Sequence, residues 1–144
     1  MAKISAAEVN KLRQQTGAGM MDCKKALTQA EGDFDKAIEI IREKGMAIAK
    51  KRSDKEATEG IVFSKTTEDG KKGFIISLNC ETDFVAKNDD FKKLGHQILD
   101  LAIDKQPKDL EALKQLDLDG KTVDEQIVEQ TAVIGEKLQL SHYN

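Results

Sequence analysis

The sequence predicts an α+β fold, in which three short helices precede a two-layer domain with a three-stranded antiparallel sheet. Apolar residues recur at helical spacing up to about Gly45, and beyond Gly60 they alternate with period two. Charged residues make up 34% of the chain and aromatic residues only 4%, which favours a largely helical, solvated surface. Because the pattern changes within a polar stretch, we place a domain boundary near residue 55, giving domains 1–55 and 56–144.

The first helix is predicted to begin at Ser5. Glu8 follows three residues later, the capping-box spacing that satisfies free N–H groups at a helix start. Val9 and Leu12 then recur at helical spacing, and the glycines of residues 17–19 allow the chain to stop and reverse. Because no strand precedes these glycines and no Gly-Lys-Ser/Thr follows them, they predict a helix–helix turn rather than a phosphate-binding loop.

Two further helices are expected in this domain. The second runs from Met21 or Asp22 to Ala30 and buries Cys23, Ala26 and Leu27. The third is capped by Asp33 and carries an apolar stripe up to Gly45, made of Phe34, Ala37, Ile38 and Ile41. Residues 46–59 are either a charged helical extension or a linker. The basic run 50–52 is followed by acidic residues, so it favours a solvated segment over a nucleic-acid contact.

The second domain is predicted to have the order β-β-α-α-β. Its first two strands share an inward face and are joined by the hairpin signal Asp69-Gly70; their inward residues are Ile61, Phe63, Phe74, Ile76, Leu78 and Cys80. A helix then follows through Phe91, Leu94, Ile98, Leu101 and Ala102, with a short helical piece at 110–116. Thr122 and Glu125 repeat the capping box before a helix carrying Val123, Ile127, Val128 and Ile134. Leu138 and Leu140 alternate with polar residues and predict a third strand that runs to Tyr143. Such a strand is also expected because a two-stranded hairpin alone is marginally stable.

Composition excludes several classes of function. The net charge is −3 and basic residues are mixed with acidic ones, which disfavours direct nucleic-acid binding. Two cysteines and two histidines match no zinc spacing, so we expect no metal site and no cofactor. We see no signal peptide and no apolar run long enough to span a membrane, and we expect a cytoplasmic protein with reduced thiols.

The best arrangement for catalysis is Cys80, Asp83 and His96, which could be drawn as a nucleophile, an acid and a base. We reject it as a catalytic site, because Cys80 continues the inward alternation of its strand and a buried thiol is commonly structural. We therefore expect no catalytic residues, and a small cysteine hydrolase is only a remote alternative.

Met20 and Met21 are candidates for a docking surface. Neighbouring helical residues point about 100° apart, so the two cannot both enter one core, and we expect one of them to be exposed. An exposed methionine suits a partner helix, and a core methionine beside a boundary methionine is an equally good interpretation. Arg13, one turn before the glycines, either frames this surface or is a solvated charge.

The second candidate is the run Thr82, Asp83, Phe84 and Val85, between an apolar strand and a helix. Thr82 can cap the helix and Asp83 suits its positive end. Phe84 and Val85 diverge in direction, so one of them faces outward. An outward Phe84 could enter a partner pocket as a wedge, but residue chemistry alone slightly favours a Phe84 that closes the edge of the core.

The segments TGAGMMDCKKAL (16–27) and CETDFVAKN (80–88) closely resemble the two signatures of the bacterial elongation factor Ts family. The resemblance spans essentially the whole chain. It implies an N-terminal bundle like the ubiquitin-associated domain, a linker, and the first half of a dimerisation domain. Members usually continue into a second, similar subdomain, whereas the sequence here ends at Asn144, so we expect less contact area with the partner.

The resemblance also implies a function. The protein would be a guanine nucleotide exchange factor that binds elongation factor Tu·GDP, displaces magnesium and promotes GDP release so that GTP can rebind, without making or breaking bonds. Arg13, Met20 and Met21 match the surface that docks on the GTPase, and residues 82–85 match the magnesium-dislocating motif. The alternative is a helical adaptor without exchange activity. A further hypothesis is that a free sheet edge pairs with a second copy to form a homodimer.

Overall fold

Seven helices and five strands make up residues 3–144, the part of the chain that this computed structural model describes; Met1 and Ala2 of the predicted first domain lie outside it. The helices are α1 (Ala6–Thr16), α2 (Met20–Gln29), α3 (Phe34–Arg52), α4 (Asp83–Ala86), α5 (Asp89–Lys105), α6 (Leu110–Lys114) and α7 (Val123–Ile134). The strands are β1 (Glu59–Thr66), β2 (Gly73–Cys80), β3 (Asp117–Leu118), β4 (Lys121–Thr122) and β5 (Gln139–Tyr143). The predicted α+β class is confirmed.

Helices α1 to α3 enclose a small apolar cluster centred on Leu12, Cys23 and Leu27, all fully buried. The predicted caps are present: the Ser5 hydroxyl accepts from the Glu8 N–H, and the Asp33 carboxylate accepts from the N–H three residues on. Gly17 ends α1 in the left-handed region, with φ of 70°. The likeness to a ubiquitin-associated domain stays a prediction.

Helix α3 is longer than the expected apolar stripe, because it continues through Gly45 to Arg52. Gly45 does not end the helix; it allows α7 to pack closely, since a Cβ at this position would lie 3.0 Å from the Cβ of Ala132. Of the two interpretations of residues 46–59, the helical extension therefore holds as far as Arg52. The domain boundary near residue 55 stays a prediction.

The three-stranded sheet has the order β1-β2-β5 and is antiparallel throughout. The predicted alternation places Phe63 opposite Ile76, and Leu78 lies opposite Leu140. Helix α5 covers this face with the buried side chains of Phe91, Leu94, Ile98, Leu99 and Ala102. The α5 backbone approaches the sheet closely, because a Cβ on Gly95 would lie 2.3 Å from the Phe63 ring.

Three details of the second domain differ from the sequence prediction. Helix α4 is a separate four-residue turn, because Asn88 caps a new helix at Asp89 instead of continuing the first one. A two-residue hairpin, β3–β4, lies between α6 and α7, and its turn places Asp119 and Gly120 at positive φ. Val128 is 37% exposed and does not belong to the buried face of α7.

Two further observations on residues 3–144 concern membrane spans and metal sites. None of the helices in this range is long and apolar enough to cross a membrane. Within the same range, no group of three or more histidine, cysteine, aspartate and glutamate side chains could hold a metal ion.

Candidate partner-binding surfaces

Met20 and Met21 form an exposed apolar surface, which we call the methionine patch. Their side chains are 56% and 63% exposed, so both face solvent where one was expected to, and the alternative of a core methionine is wrong. The buried face of α2 begins only at Cys23, one turn further along. The first turn therefore projects past the apolar cluster, and both thioether side chains are free to contact a partner.

Arg13 lies in the last turn of α1 and is exposed. It lines a cleft of about 470 Å³ between α1, α5 and α7, together with Lys93, Gln97, Gln126 and Gln130. The wall of the cleft opposite α1 comes from α5 and α7, and the methionine patch is not part of it. Arg13 is therefore available at the surface, on the side of α1 that faces α5 and α7.

Phe84 is the most exposed of the large apolar side chains in residues 3–144, at 80%. It lies in α4, and we call the N-cap Thr82 together with the first three residues of α4 the wedge turn (Thr82–Val85). Val85 packs against the core, as the divergence of the two side chains requires. The expectation that Phe84 closes the edge of the core is therefore wrong. Asp83 is also exposed and forms an ion pair with Lys87 at 3.5 Å.

The wedge turn is held by Glu136, a residue that the sequence analysis did not identify. The backbone N–H of Thr82 donates to Glu136 Oε1 at 3.0 Å, and its hydroxyl donates to Glu136 Oε2 at 2.8 Å. The same hydroxyl oxygen accepts from the Val85 N–H at 3.4 Å. Glu136 is 54 residues from Thr82 in sequence, so no local pattern could reveal this contact.

A second contact anchors the residue before the turn. The Glu81 carboxylate accepts from both Nε and Nη2 of Arg52, at the end of α3, and from the backbone N–H of Lys137 at 2.7 Å. Burial raises the pKa of Glu81, but the hydrogen bonds from Lys137 and Arg52 outweigh this effect and hold the pKa below its usual value. Glu81 therefore stays ionised and fixed at the base of the wedge turn.

Cys80 is unsuited to nucleophilic chemistry. It is fully buried, and its thiol donates to the Thr82 carbonyl at 3.1 Å. Burial, with smaller contributions from the charges of Glu136 and Glu59, raises the pKa of the Cys80 thiol to about 11. His96 is exposed and stacks edge-on against Phe63 at a centroid distance of 5.0 Å. These positions support the rejection of a cysteine hydrolase.

Comparison with known proteins gives consistent results. A family model described as elongation factor TS matches residues 81–144, a range that starts at the base of the wedge turn. The chain is 55% identical over 143 residues to elongation factor Ts of Christiangramia forsetii, an alignment that covers 99% of this chain and 52% of the relative. It is 52% identical over 140 residues to elongation factor Ts of Bacteroides thetaiotaomicron, covering 97% and 42%. The chain is therefore similar to elongation factor Ts over nearly its whole length.

The similarity includes both segments, 16–27 and 80–88, because the alignments with these relatives cover nearly the whole chain. The chain spans about half the length of the curated relatives it matches, with 52% and 50% of the first two covered. The exposed methionine patch and the wedge turn both lie in this shared half.

Proposed function

We propose that this chain acts in translation elongation as the GTPase-docking part of a guanine nucleotide exchange factor for elongation factor Tu. One observation carries the proposal: in a chain similar to elongation factor Ts, Phe84 projects 80% exposed from a turn whose base is held by side-chain hydrogen bonds. An aromatic side chain in this position exposes apolar surface in the free protein, and burial in a partner pocket would remove that surface from water.

The proposed mechanism uses two contacts. Met20 and Met21 dock on a helix of the GTPase, where flexible thioethers adapt to an apolar surface, and Arg13 contacts the same partner from the side of α1 that faces α5 and α7. Asp83 and Phe84 then enter beside the magnesium site of the partner. Magnesium and the N–H groups of a phosphate loop neutralise the phosphate charges, so disturbing them weakens the hold on GDP. This chain makes and breaks no covalent bond in that process.

Thermodynamic linkage determines how the cycle proceeds. If this chain lowers the affinity of the GTPase for GDP by some factor, bound GDP must lower the affinity of the GTPase for this chain by the same factor. An excess of GTP can therefore rebind and displace the exchange factor, and no other energy source is required.

The proposal is tested by the release of fluorescent GDP from elongation factor Tu at a fixed magnesium concentration. The chain should accelerate release, and Phe84→Ala should reduce the maximal rate by about tenfold or more, since a central aromatic anchor commonly contributes most of a contact. Val62→Ala is the matched control, because Val62 is also exposed (62%) but lies on β1 outside the wedge turn. Equal rates for Phe84→Ala and wild type would contradict the assignment of the wedge.

The methionine patch has its own variants in the same assay. Replacing Met20 and Met21 by alanine should raise the concentration needed for half-maximal release, with little change in the maximal rate. Met46→Ala is the control, because Met46 is 57% exposed on α3. A chain that does not bind elongation factor Tu at all would favour the helical adaptor instead.

We also propose that a second copy can pair along the sheet edge. The order β1-β2-β5 leaves β1, an eight-residue strand, with one unpaired edge, and such edges pair readily with other chains. Sedimentation at increasing protein concentration should show a dimer. A monomer at every concentration would contradict this pairing.

A further inference from the structure

Helix α4 cannot maintain its own conformation. It has four residues, and isolated helices shorter than about 12 residues are marginal in water. The intrinsic cap is also weak, because the distance from the Val85 nitrogen to the Thr82 hydroxyl oxygen is 3.4 Å. The direction in which Phe84 points must therefore be fixed by contacts from outside the turn.

Glu136 supplies a polar contact of this kind, beside the packing of Val85 against the core and the hydrogen bond from the Cys80 thiol to the Thr82 carbonyl. Its carboxylate receives both donors of Thr82, the backbone N–H at 3.0 Å and the hydroxyl at 2.8 Å. Hydrogen bonds to an ionised acceptor are about twice as strong as neutral ones, and two on one residue fix its orientation as well as its position. Thr82 is the N-cap of α4, so its orientation sets where the turn begins and which way Phe84 projects.

The backbone on either side of Glu136 is itself anchored. On one side, the Gly135 N–H donates to the Thr131 carbonyl at 2.9 Å and ends α7. On the other side, the Leu138 N–H donates to the Thr131 hydroxyl at 3.2 Å, and the Leu138 side chain is buried. Glu136 is therefore held between two fixed points, and the wedge turn takes its position from the end of α7.

We infer that Glu136 is a positioning residue for nucleotide exchange, which holds Thr82 so that Phe84 is presented in one orientation before the partner arrives. This inference rests on the proposed function. A side chain ordered in advance loses less conformational entropy on binding, and a small misplacement of a reacting group can lower a rate many fold. Glu136 acts through Thr82 and Phe84 and needs no contact of its own with the partner.

The test is a double-mutant cycle in the GDP-release assay with elongation factor Tu and the full chain. Glu136→Ala should lower the maximal release rate on the order of tenfold. In the Phe84→Ala background, the same replacement should have almost no further effect, because there is no ring left to position. A merely structural role would lower the rate in both backgrounds and would overturn the inference.

Two further variants keep the test decisive if Glu136→Ala folds poorly. Glu136→Gln retains one acceptor oxygen and should lower the rate less than Glu136→Ala does. Glu125→Ala is the matched control, because Glu125 makes the same kind of contact with the N-cap Thr122, at 3.2 Å, at the other end of α7. Circular dichroism confirms folding, and Glu125→Ala should leave exchange unchanged.

The outcomes separate the two proposals. If Phe84→Ala slows release but neither Glu136 variant does, the positioning role is overturned and the proposed function stands. If the wild-type chain does not accelerate release at all, both are overturned. If Glu125→Ala slows release as much as Glu136→Ala, the effect is loss of a helix cap in general, and the positioning role is again overturned.

Discussion

Replacing Arg52 by methionine should destabilise the chain by about 2–3 kcal/mol. Arg52 donates two hydrogen bonds to the Glu81 carboxylate, and the two side chains are only 32% and 15% exposed. Hydrogen bonds to charged groups contribute about 1.5–3 kcal/mol each, and removing one partner of a fully buried pair costs about 3–5 kcal/mol. In the variant, Glu81 still accepts a hydrogen bond from the Lys137 N–H, so we expect a loss of stability below the roughly 3–5 kcal/mol of a fully buried pair, about 2–3 kcal/mol. Methionine preserves most of the side-chain volume, so the loss of stability measures the contribution of the Arg52 charge and its hydrogen bonds rather than of packing.

The assay is urea unfolding at neutral pH, followed by far-ultraviolet circular dichroism, with the midpoints compared at constant slope. Arg42→Met is the matched control on the same helix. Its ion pair with Glu39 has an N–O distance of 3.9 Å and side chains 63% and 60% exposed, so its loss should cost less than about 0.5 kcal/mol. If the two variants lose the same stability, the argument from the burial of Glu81 is wrong.

Three other predictions concern stability and reactivity. The pKa of Glu81 is lowered from 4.5, so its stabilising contribution is complete above that pH and is lost as pH falls through the folded-state value. Unfolding midpoints should therefore fall less on acidification for Glu81→Gln than for wild type. Gly95→Ala should cost about 1–3 kcal/mol in urea unfolding, because its Cβ would lie 2.3 Å from the Phe63 ring; Gly73→Ala, whose Cβ meets only a methyl at 3.9 Å, is the control and should cost much less. Cys80, with a pKa of about 11, should resist iodoacetamide in the folded chain and react in urea; fast alkylation of the native protein would contradict its burial.

The elements that sequence predicted best are those whose cause is local. The caps at Ser5, Asp33 and Thr122 each join atoms three residues apart, so spacing alone reveals them. The two long strands follow from alternation, because one face of each is buried against α5. Local geometry also indicated an exposed methionine, since adjacent Met20 and Met21 cannot share one core, but for Phe84 it favoured the wrong side.

The remaining features depend on contacts between residues far apart in the chain. Thr82, the N-cap of the turn that carries Phe84, is bound by Glu136, and Glu81 at the base of the turn is bound by Arg52, 29 residues away. The apolar stripe of α3 stops at Gly45, and the local pattern does not show that this glycine admits α7. A single sequence carries no signal for such pairs.

Helix α3 has a consequence for any partner that touches both candidate surfaces. Lys44 of α3 forms an ion pair with Asp22, in the first turn of α2 beside the methionine patch, and Arg52 at the end of α3 binds Glu81 beside the wedge turn. At a rise of about 1.5 Å per residue, these two positions lie about 12 Å apart along the helix. If both surfaces bind one partner, as proposed, this helix presents them at a fixed spacing, as in a bivalent ligand. Once one surface is bound, the second meets its target at a high effective concentration, and only a partner with matching spacing gains that avidity.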